Sequence, residues 1–308
     1  MNKERYCLDR LDLAILKSVL VNNGVPPGVP APRKSFRSMA KDLGVDQATV
    51  RARMRRFTEQ GFLTGWALGL SPGVKGQDVG NVWVSVQRNT DKREVVSALL
   101  SAGEVERVCD YFGPALSLVY LFNEGTDPKP TVDRILRLAG RGVTLQSQGV
   151  THVMRRPLTE TDASIVRSVG ENPWKSYSEV AQQVGVSRKT VARRMSRMTE
   201  EGTVYMLPIV DLKALKGVIP AELVVEYYGS REEVNAKVAA RIGQNLVFSN
   251  VRGPFGYFAM QVENLSQLEQ LAGWCKKLVG VKGVRVSALQ DVILSPKHYH
   301  AGARRDSK

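Results

Sequence analysis

The chain is poor in the residue types that most often carry chemistry. It holds 3 cysteines and 3 histidines in 308 residues. Cys7, Cys109 and Cys275 are odd in number and far apart. That spacing excludes a disulfide framework and a zinc-ligand pattern, and it points to a reducing compartment. His298-x-His300 is the one close histidine pair, and it reads as a surface feature near the C-terminus; no metal and no cofactor are expected. Aromatic residues make up 7%. Trp66, Trp83, Trp174 and Trp274 are expected in core or interface packing rather than as stacking platforms. No apolar run approaches the roughly 20 residues of a membrane span. The charged start, Met1-Asn2-Lys3-Glu4-Arg5, lacks the apolar stretch of a secretion signal. The expected location is the cytoplasm, with no membrane partner. The nucleophile-elbow, P-loop, dinucleotide-binding and zinc-protease motifs are all missing, so no catalytic residue is assigned.

Positive charge is what the chain has in excess. Lys and Arg total 44 against 30 Asp and Glu, a net +14. Residues 1–75 hold 13 Lys/Arg against 6 Asp/Glu, so half of the excess lies in the first quarter. A basic segment beside near-neutral ones points to a polyanionic partner, double-stranded DNA being the first candidate.

The pattern predicts helices over Leu8–Val19, Phe36–Leu43 and Val45–Gly61, with Asp46 capping the last. The intervening Asn22–Pro32 run is too rich in Pro and Gly for helix and reads as a surface loop. A Gly44-Val45 turn between the last two helices makes a helix-turn-helix. Phe62–Leu70 reads as a strand, either part of a wing or a link. Residues 80–154 then alternate as strand, helix, strand, strand, helix, strand, the βαββαβ order of a ferredoxin-like sheet with both helices on one face. Within it Asp110–Ala115 is a turn between strands. Cys109 and Cys275 fall in apolar surroundings and read as small buried hydrophobes.

The chain then repeats this order. Leu158–Val169 aligns with the first helix at an offset of about 150, and Ser176–Gly202 with Ser35–Gly61 at about 141, with matches such as Thr49/Thr190, Val50/Val191, Arg53/Arg194, Met54/Met195 and Arg56/Arg197. A second βαββαβ pattern runs from Glu222 to Leu294, its closing strand read as Val284–Leu294. The fold class expected is α+β, with two winged helix-turn-helix domains (1–72 and 157–217) alternating with two ferredoxin-like domains (73–156 and 218–300), and a disordered tail at 301–308.

The helices Val45–Phe57 and Val186–Met198 carry the candidate DNA-binding residues. Their outward N-terminal positions suit base edges: Gln47, Ala48, Arg51 and Ala52 in one, Arg188, Lys189, Ala192 and Arg193 in the other. Ser35, Thr49, Ser176, Ser187 and Thr190, at helix starts, join the DNA-facing set. Arg55 and Lys175 suit phosphates. Arg53, Arg56, Arg194 and Arg197 recur in both copies, and either touch DNA or brace the fold through Asp12 or Asp162. The charge count makes the first helix the stronger anchor. Arg51 aligns with Ala192 and Arg55 with Ser196, so the two helices are expected to read different sequences.

Thr49-Val50-x-x-Arg53-Met54-x-Arg56-Phe57-x-x-x-Gly61-Phe62-Leu63-x-Gly65-Trp66 resembles the Lrp/AsnC (feast/famine) transcription regulators, as do Leu8-Asp9-x-Leu11-Asp12-x-x-Ile15-Leu16 and Thr190-Val191-x-x-Arg194-Met195-x-Arg197. The resemblance implies a sequence-specific, nucleoid-associated DNA-binding regulator, doubled in one chain, that responds to a small effector such as an amino acid and forms homo-oligomers. The matching effector positions are Asp110 and Gly113 in one copy and Asn250 and Gly253 in the other, although each also fits a plain hairpin turn. The two ferredoxin-like domains are expected to pair within the chain as a pseudo-dimer. Two other functions fit the same architecture: a fused Lrp-like enzyme of sirohaem-decarboxylase type, which would need proton-transfer groups on the middle strands where no His falls, and a chromatin-like architectural DNA binder.

Overall fold

The computed structural model describes residues 8–20, 36–171, 175–229, 231–298 and 300–302. Ser35, Cys7, Trp174, the Asn22–Pro32 loop and residues 303–308 lie outside them.

The chain opens with three helices, α1 (Arg10–Leu20), α2 (Phe36–Leu43) and α3 (Gln47–Glu59). Strand β1 (Leu63–Leu70) follows, then β2 (Gln77–Val86), α4 (Lys92–Ser101), β3 (Val105–Tyr111), β4 (Ala115–Asn123), α5 (Lys129–Ala139) and β5 (Val143–Thr151). A second trio, α6 (Glu160–Glu171), α7 (Tyr177–Val184) and α8 (Arg188–Glu200), leads to β6 (Val204–Val210). The chain continues with β7 (Ile219–Tyr227), α9 (Arg231–Ile242), β8 (Leu246–Arg252), β9 (Phe255–Val262), α10 (Leu265–Cys275), β10 (Val281–Leu294) and β11 (His300–Gly302).

Each helical trio closes over its own apolar stripe. Ile15, Val50 and Phe57 are fully buried in the first, with Met39 and Met54 beside them; Ile165, Val180, Val191 and Met198 take the same places in the second. Gly44 and Gly185 have φ of +65° and +74°, the left-handed conformation that ends α2 and α7 and turns the chain into α3 and α8.

β1 pairs antiparallel with β6, from Leu63 opposite Val210 to Leu70 opposite Val204. The two trios therefore sit at opposite ends of one ribbon. The ribbon also exchanges side chains with them. Leu68 from β1 is buried in the second trio's core, while Val210 packs against the first. β1 is thus a linking strand. Its other edge pairs with β11, Trp66 opposite Gly302. This corrects the expectation that disorder begins at Ala301: the free edge of β1 offers backbone partners that a polar tail can use whatever its side chains.

The remaining strands form one sheet in the order β5-β2-β4-β3-β10-β7-β9-β8. Each half has the ferredoxin-like order, and they join where β3 pairs antiparallel with β10, Val292 opposite Cys109 and Leu294 opposite Arg107. β10 starts at Val281, earlier than the alternation predicts, and spends its first part on β7 and its second on β3. Val82, Val84 and Val86 face α4 and α5 in one core, and Leu223 and Val225 face α9 and α10 in the other. The opposite, helix-free faces turn toward each other. Arg285 of β10 lies 4.3 Å over the Trp83 ring of β2 and donates to Ser147 Oγ of β5 at 3.3 Å, although those strands are not neighbours in the sheet.

Candidate nucleic-acid interface

α3 and α8 are built alike at their starts. Asp46 Oδ1 accepts the Thr49 backbone N–H at 2.7 Å and its Oδ2 accepts the Thr49 hydroxyl at 2.8 Å. Those bonds hold the Asp46 carboxyl below its ordinary range. Ser187 Oγ does the same work for α8, accepting Thr190 N–H at 3.1 Å. Ser176 caps α7, with Glu179 closing the reciprocal bond to the Ser176 N–H at 2.7 Å. The side chains of Thr49, Thr190, Ser176 and Ser187 are thus partnered within the helix starts. Lys175 donates to Gln183 Oε1 at 2.8 Å.

Beyond the caps each helix divides into a buried and an open side. Val50, Met54 and Phe57 are buried, while Gln47, Ala48, Arg51, Ala52 and Arg55 are exposed. Arg55 makes a loose pair with Glu59 at 3.5 Å on the surface. In α8, Arg188, Lys189, Arg193 and Arg197 are exposed, and Ala192 is half-buried.

Three of the recurrent arginines, Arg53, Arg194 and Arg197, reach back to the first helix of their trio or the residues just before it. Arg53 engages Asp9 and lies 3.2 Å from Asp12 Oδ1, whose side chain is 0% exposed. Arg194 Nη1 donates to Asp162 Oδ1 at 2.9 Å and to Thr159 Oγ1 at 3.2 Å, and Arg197 Nη2 donates to Asp162 Oδ2 at 2.7 Å. Burial pushes the Asp162 carboxyl up, but the Thr159 hydroxyl and the two guanidiniums outweigh it and hold the group below its ordinary value. Asp9 is held low in the same way, burial opposing and the Asp12 N–H and Arg53 prevailing. Asp9, quoted above only within the Leu8–Leu16 motif, and Thr159 at the same aligned position were not expected as partners of these arginines.

Of the effector candidates only Gly113 and Gly253 are turn residues; Asp110 and Asn250 lie on β3 and β8, which run further than the sequence pattern suggested, Asp110 opposite Leu116 and Asn250 opposite Tyr257. Asp110 pairs with Lys92, whose ammonium also bonds Gly113 O at 2.8 Å. In the second copy Arg231 Nη1 bonds Gly253 O at 2.6 Å. Asn250 is 5% exposed, and its Oδ1 has no hydrogen-bond partner among the described residues. Between the helix-free faces lies a cluster the sequence reading missed. Tyr111, fully buried, donates to Glu222 Oε2 at 2.8 Å, sits 2.9 Å from Ser117 Oγ and stacks on Trp83 at 4.8 Å. Burial, then the Glu222 charge, push the Tyr111 hydroxyl well above its ordinary value, so it remains a donor. The available signal was charge in apolar strands, Glu222 and Arg285. Among the described residues no group of three or more His, Cys, Asp or Glu could hold a metal, and no helix is long and apolar enough to cross a membrane.

The AsnC-type helix-turn-helix family matches residues 158–199, the α6–α8 trio. The HTH-type transcriptional regulator Ptr1 of Methanocaldococcus jannaschii is 32% identical over 112 residues, 33% of this chain and 70% of that protein. The chain belongs to the Lrp/AsnC family. The regulatory protein AsnC of Escherichia coli K12 is 31% identical over 77 residues, 25% of this chain and 45% of that protein. Over nearly the whole length, the fold is similar to that of the sirohaem decarboxylase NirDL, with 12% identity, coverage of 96% of this chain and 93% of that one, and a TM-score of 0.50. That likeness concerns the fold alone. For an Lrp/AsnC member, the two open helix faces are the surfaces to examine for DNA.

Proposed function

We propose that this Lrp/AsnC chain is a transcription regulator that binds double-stranded DNA sequence-specifically through α3 and α8, and that it is a tandem duplication with domain bounds near 72, 156 and 217. The observation that carries the reading is the pair of capped helices, each buried on one side and cationic on the other, set at the two ends of the β1–β6 ribbon. Gln47 and Arg51, and Arg188 and Lys189, lie at the exposed N-terminal turns that a helix-turn-helix directs at base edges. Because Arg51 aligns with Ala192, the preferred site is asymmetric. The same reading keeps the protein in the cytoplasm.

An effector of amino-acid type is assigned to the β3–β4 and β8–β9 turns, around Asp110 and Gly113 and around Asn250 and Gly253. Its route to DNA would run through β8, since Val247 of that strand packs against the core of the first trio. Homo-oligomers would form beyond the β3–β10 joint. Selection from a random duplex library with the full chain tests the reading. An enriched motif, lost when Arg51→Ala and Arg188→Ala are combined, is expected. Sequence-blind binding would replace it with an architectural role. A likeness of fold across the whole chain also keeps an enzyme of sirohaem-decarboxylase type in view; turnover of a tetrapyrrole without DNA binding would overturn the regulator.

A further inference from the structure

The two halves of the large sheet are built alike but joined on one side only. β2 sets Gly80 opposite Val150, and β7 sets Ala221 opposite Ala288, so residue 150 corresponds to residue 288. Val105 and Leu246 each precede a bulge, opposite Tyr120 and Met260, so β8 corresponds to β3. On the closed side Phe112 N–H donates to Ala288 O at 3.0 Å. Asp291–Leu294 then run along β3 from Asp110 to Arg107, and Ser295 N–H donates to Glu106 O at 2.8 Å. The matching stretches on the other side are Val153–Arg156 and, on β8, Val251 back to Phe248. Among the described residues no hydrogen-bonded pairing joins β5 to β8. The strands nonetheless approach where the first rung belongs, since a Cβ on Gly253 would stand 3.9 Å from Val150 O. Beyond that point the chain turns away. Val153 N–H donates to Asp78 Oδ1 at 2.8 Å, His152 Nδ1 lies 2.8 Å from Asp78 Oδ2, and Arg156 N–H donates to Gly73 O at 3.1 Å. Asp78 is 1% exposed, and Ile219, in its place in the other half, offers no carboxylate. Pro157 stands where Ser295 is and has no N–H for the last rung.

We propose that residues 151–156 are a latched strand, with Asp78 as the latch, and that on release they zip onto β8 as Leu289–Leu294 lie on β3. The free edge of β8 offers backbone groups that an antiparallel strand satisfies. Two buried side-chain oxygens on the facing strands, Thr151 Oγ1 and Asn250 Oδ1, have no hydrogen-bond partner among the described residues, so the open seam leaves polar groups unmet. Against closure stand the bonds to Asp78 and the rung that Pro157 cannot make. A difference of a few hydrogen bonds is what separates the two states of a switching element. The consequence reaches both trios. Residues 151–156 lead into α6, so closure draws the second trio toward β8. At the far end of the zipper lies Val247, which packs against the core of the first trio, and α1 rests on β8. Closure thus shifts one trio relative to the other and leaves both recognition helices untouched.

The test uses the full chain without DNA. Arg155→Cys is combined with Ser249→Cys, two positions that the closed register sets opposite one another. A disulfide between them needs Cα atoms within about 7 Å. Its rate of formation under mild oxidation is read by mass spectrometry of the linked peptides, which separates this bridge from any that involves Cys7, Cys109 or Cys275. Adding Asp78→Ala is expected to speed the cross-link about tenfold or more, the shift that follows from losing a hydrogen bond to a carboxylate. Adding Pro157→Ser restores the missing N–H with the latch intact and is expected to speed it about threefold. Without the added cysteines, hydrogen exchange in the Leu246–Arg252 peptide should slow in Asp78→Ala as β8 gains a neighbour. Equal cross-linking rates in the three backgrounds, with the thermal transition retained, overturn the proposal. So does exchange in β8 that quickens in Asp78→Ala, because the segment is then loosened and not transferred. Should Asp78→Ala fail to fold, Pro157→Ser decides alone, and an unchanged rate overturns the proposal. None of these outcomes bears on DNA binding, so the regulator reading stands or falls separately.

Discussion

Arg53→Ala asks whether a recurrent arginine of the recognition helix braces the trio or touches DNA. The substitution removes the guanidinium that faces Asp9 and Asp12. Asp12 is completely buried, and its Oδ2 also accepts the Asp9 N–H at 3.1 Å. Deleting one partner of a buried ion pair costs about 3–5 kcal/mol. The side chain of Arg53 is 26% exposed and that of Asp9 48%, so water already screens the Asp9 half of the contact. Discounting for that screening brings the expected loss to about 2 kcal/mol. Hydrogen exchange read by mass spectrometry on peptides from α1 and α3 measures the loss locally, and about 2 kcal/mol corresponds to roughly 30-fold faster exchange. Arg53→Ala should leave the salt slope of DNA binding unchanged under conditions where the trio stays folded. Unaltered exchange together with a slope lowered by about 0.9 would refute the bracing argument and return Arg53 to the DNA surface.

Other expectations follow from the same contacts. Tyr111→Phe deletes the donor to Glu222 and should cost about 1.5–3 kcal/mol in urea denaturation, the range for a hydrogen bond to a charged group; a double-mutant cycle with Glu222→Gln should show coupling across the β3–β10 joint, and coupling near zero would remove Tyr111 as a tie between the halves. Asp162 has a folded-state value below its unfolded one, so its stabilisation is complete above the ordinary carboxylate range near pH 4 and fades as pH falls through the lowered value. Asp162→Asn should therefore reduce stability at pH 7 and flatten part of the acid limb, which a series of denaturation curves from about pH 2 to 7 would reveal. Gly69→Ala places a Cβ 2.2 Å from the Tyr205 ring in the β1–β6 ribbon and should destabilise by about 1–3 kcal/mol; a thermal midpoint equal to that of the unmodified protein would show that the ring moves freely.

The helical parts were readable because their determinants are local. Asp46 and Ser187 mark the starts of α3 and α8, positive-φ glycines at 44 and 185 mark the turns before them, and Val50, Met54 and Phe57 show the buried stripe. Strand alternation likewise separated Val82, Val84 and Val86 from Trp83. What alternation does not encode is which edge meets which. The β1–β6, β1–β11 and β3–β10 pairs are made by backbone groups common to every residue, so β1 read equally as wing or link and the β11 pairing stayed hidden. At the candidate interface, Arg53 and Arg194 were left between two roles because their partners lie about 40 and 30 residues away on α1 and α6, beyond any helical repeat.

The β3–β10 joint also bears on dosage. A regulator assembled from two separate chains loses its paired form on dilution, so its active fraction falls more steeply than its copy number. Here the two edges belong to one polypeptide, and the tether holds them at an effective concentration on the millimolar scale that no change in expression alters. Every chain synthesised carries both trios on one scaffold, the first molecule in a cell as fully as the thousandth. Occupancy of a DNA site by this unit would then follow copy number in direct proportion at low abundance, without the threshold that second-order assembly imposes.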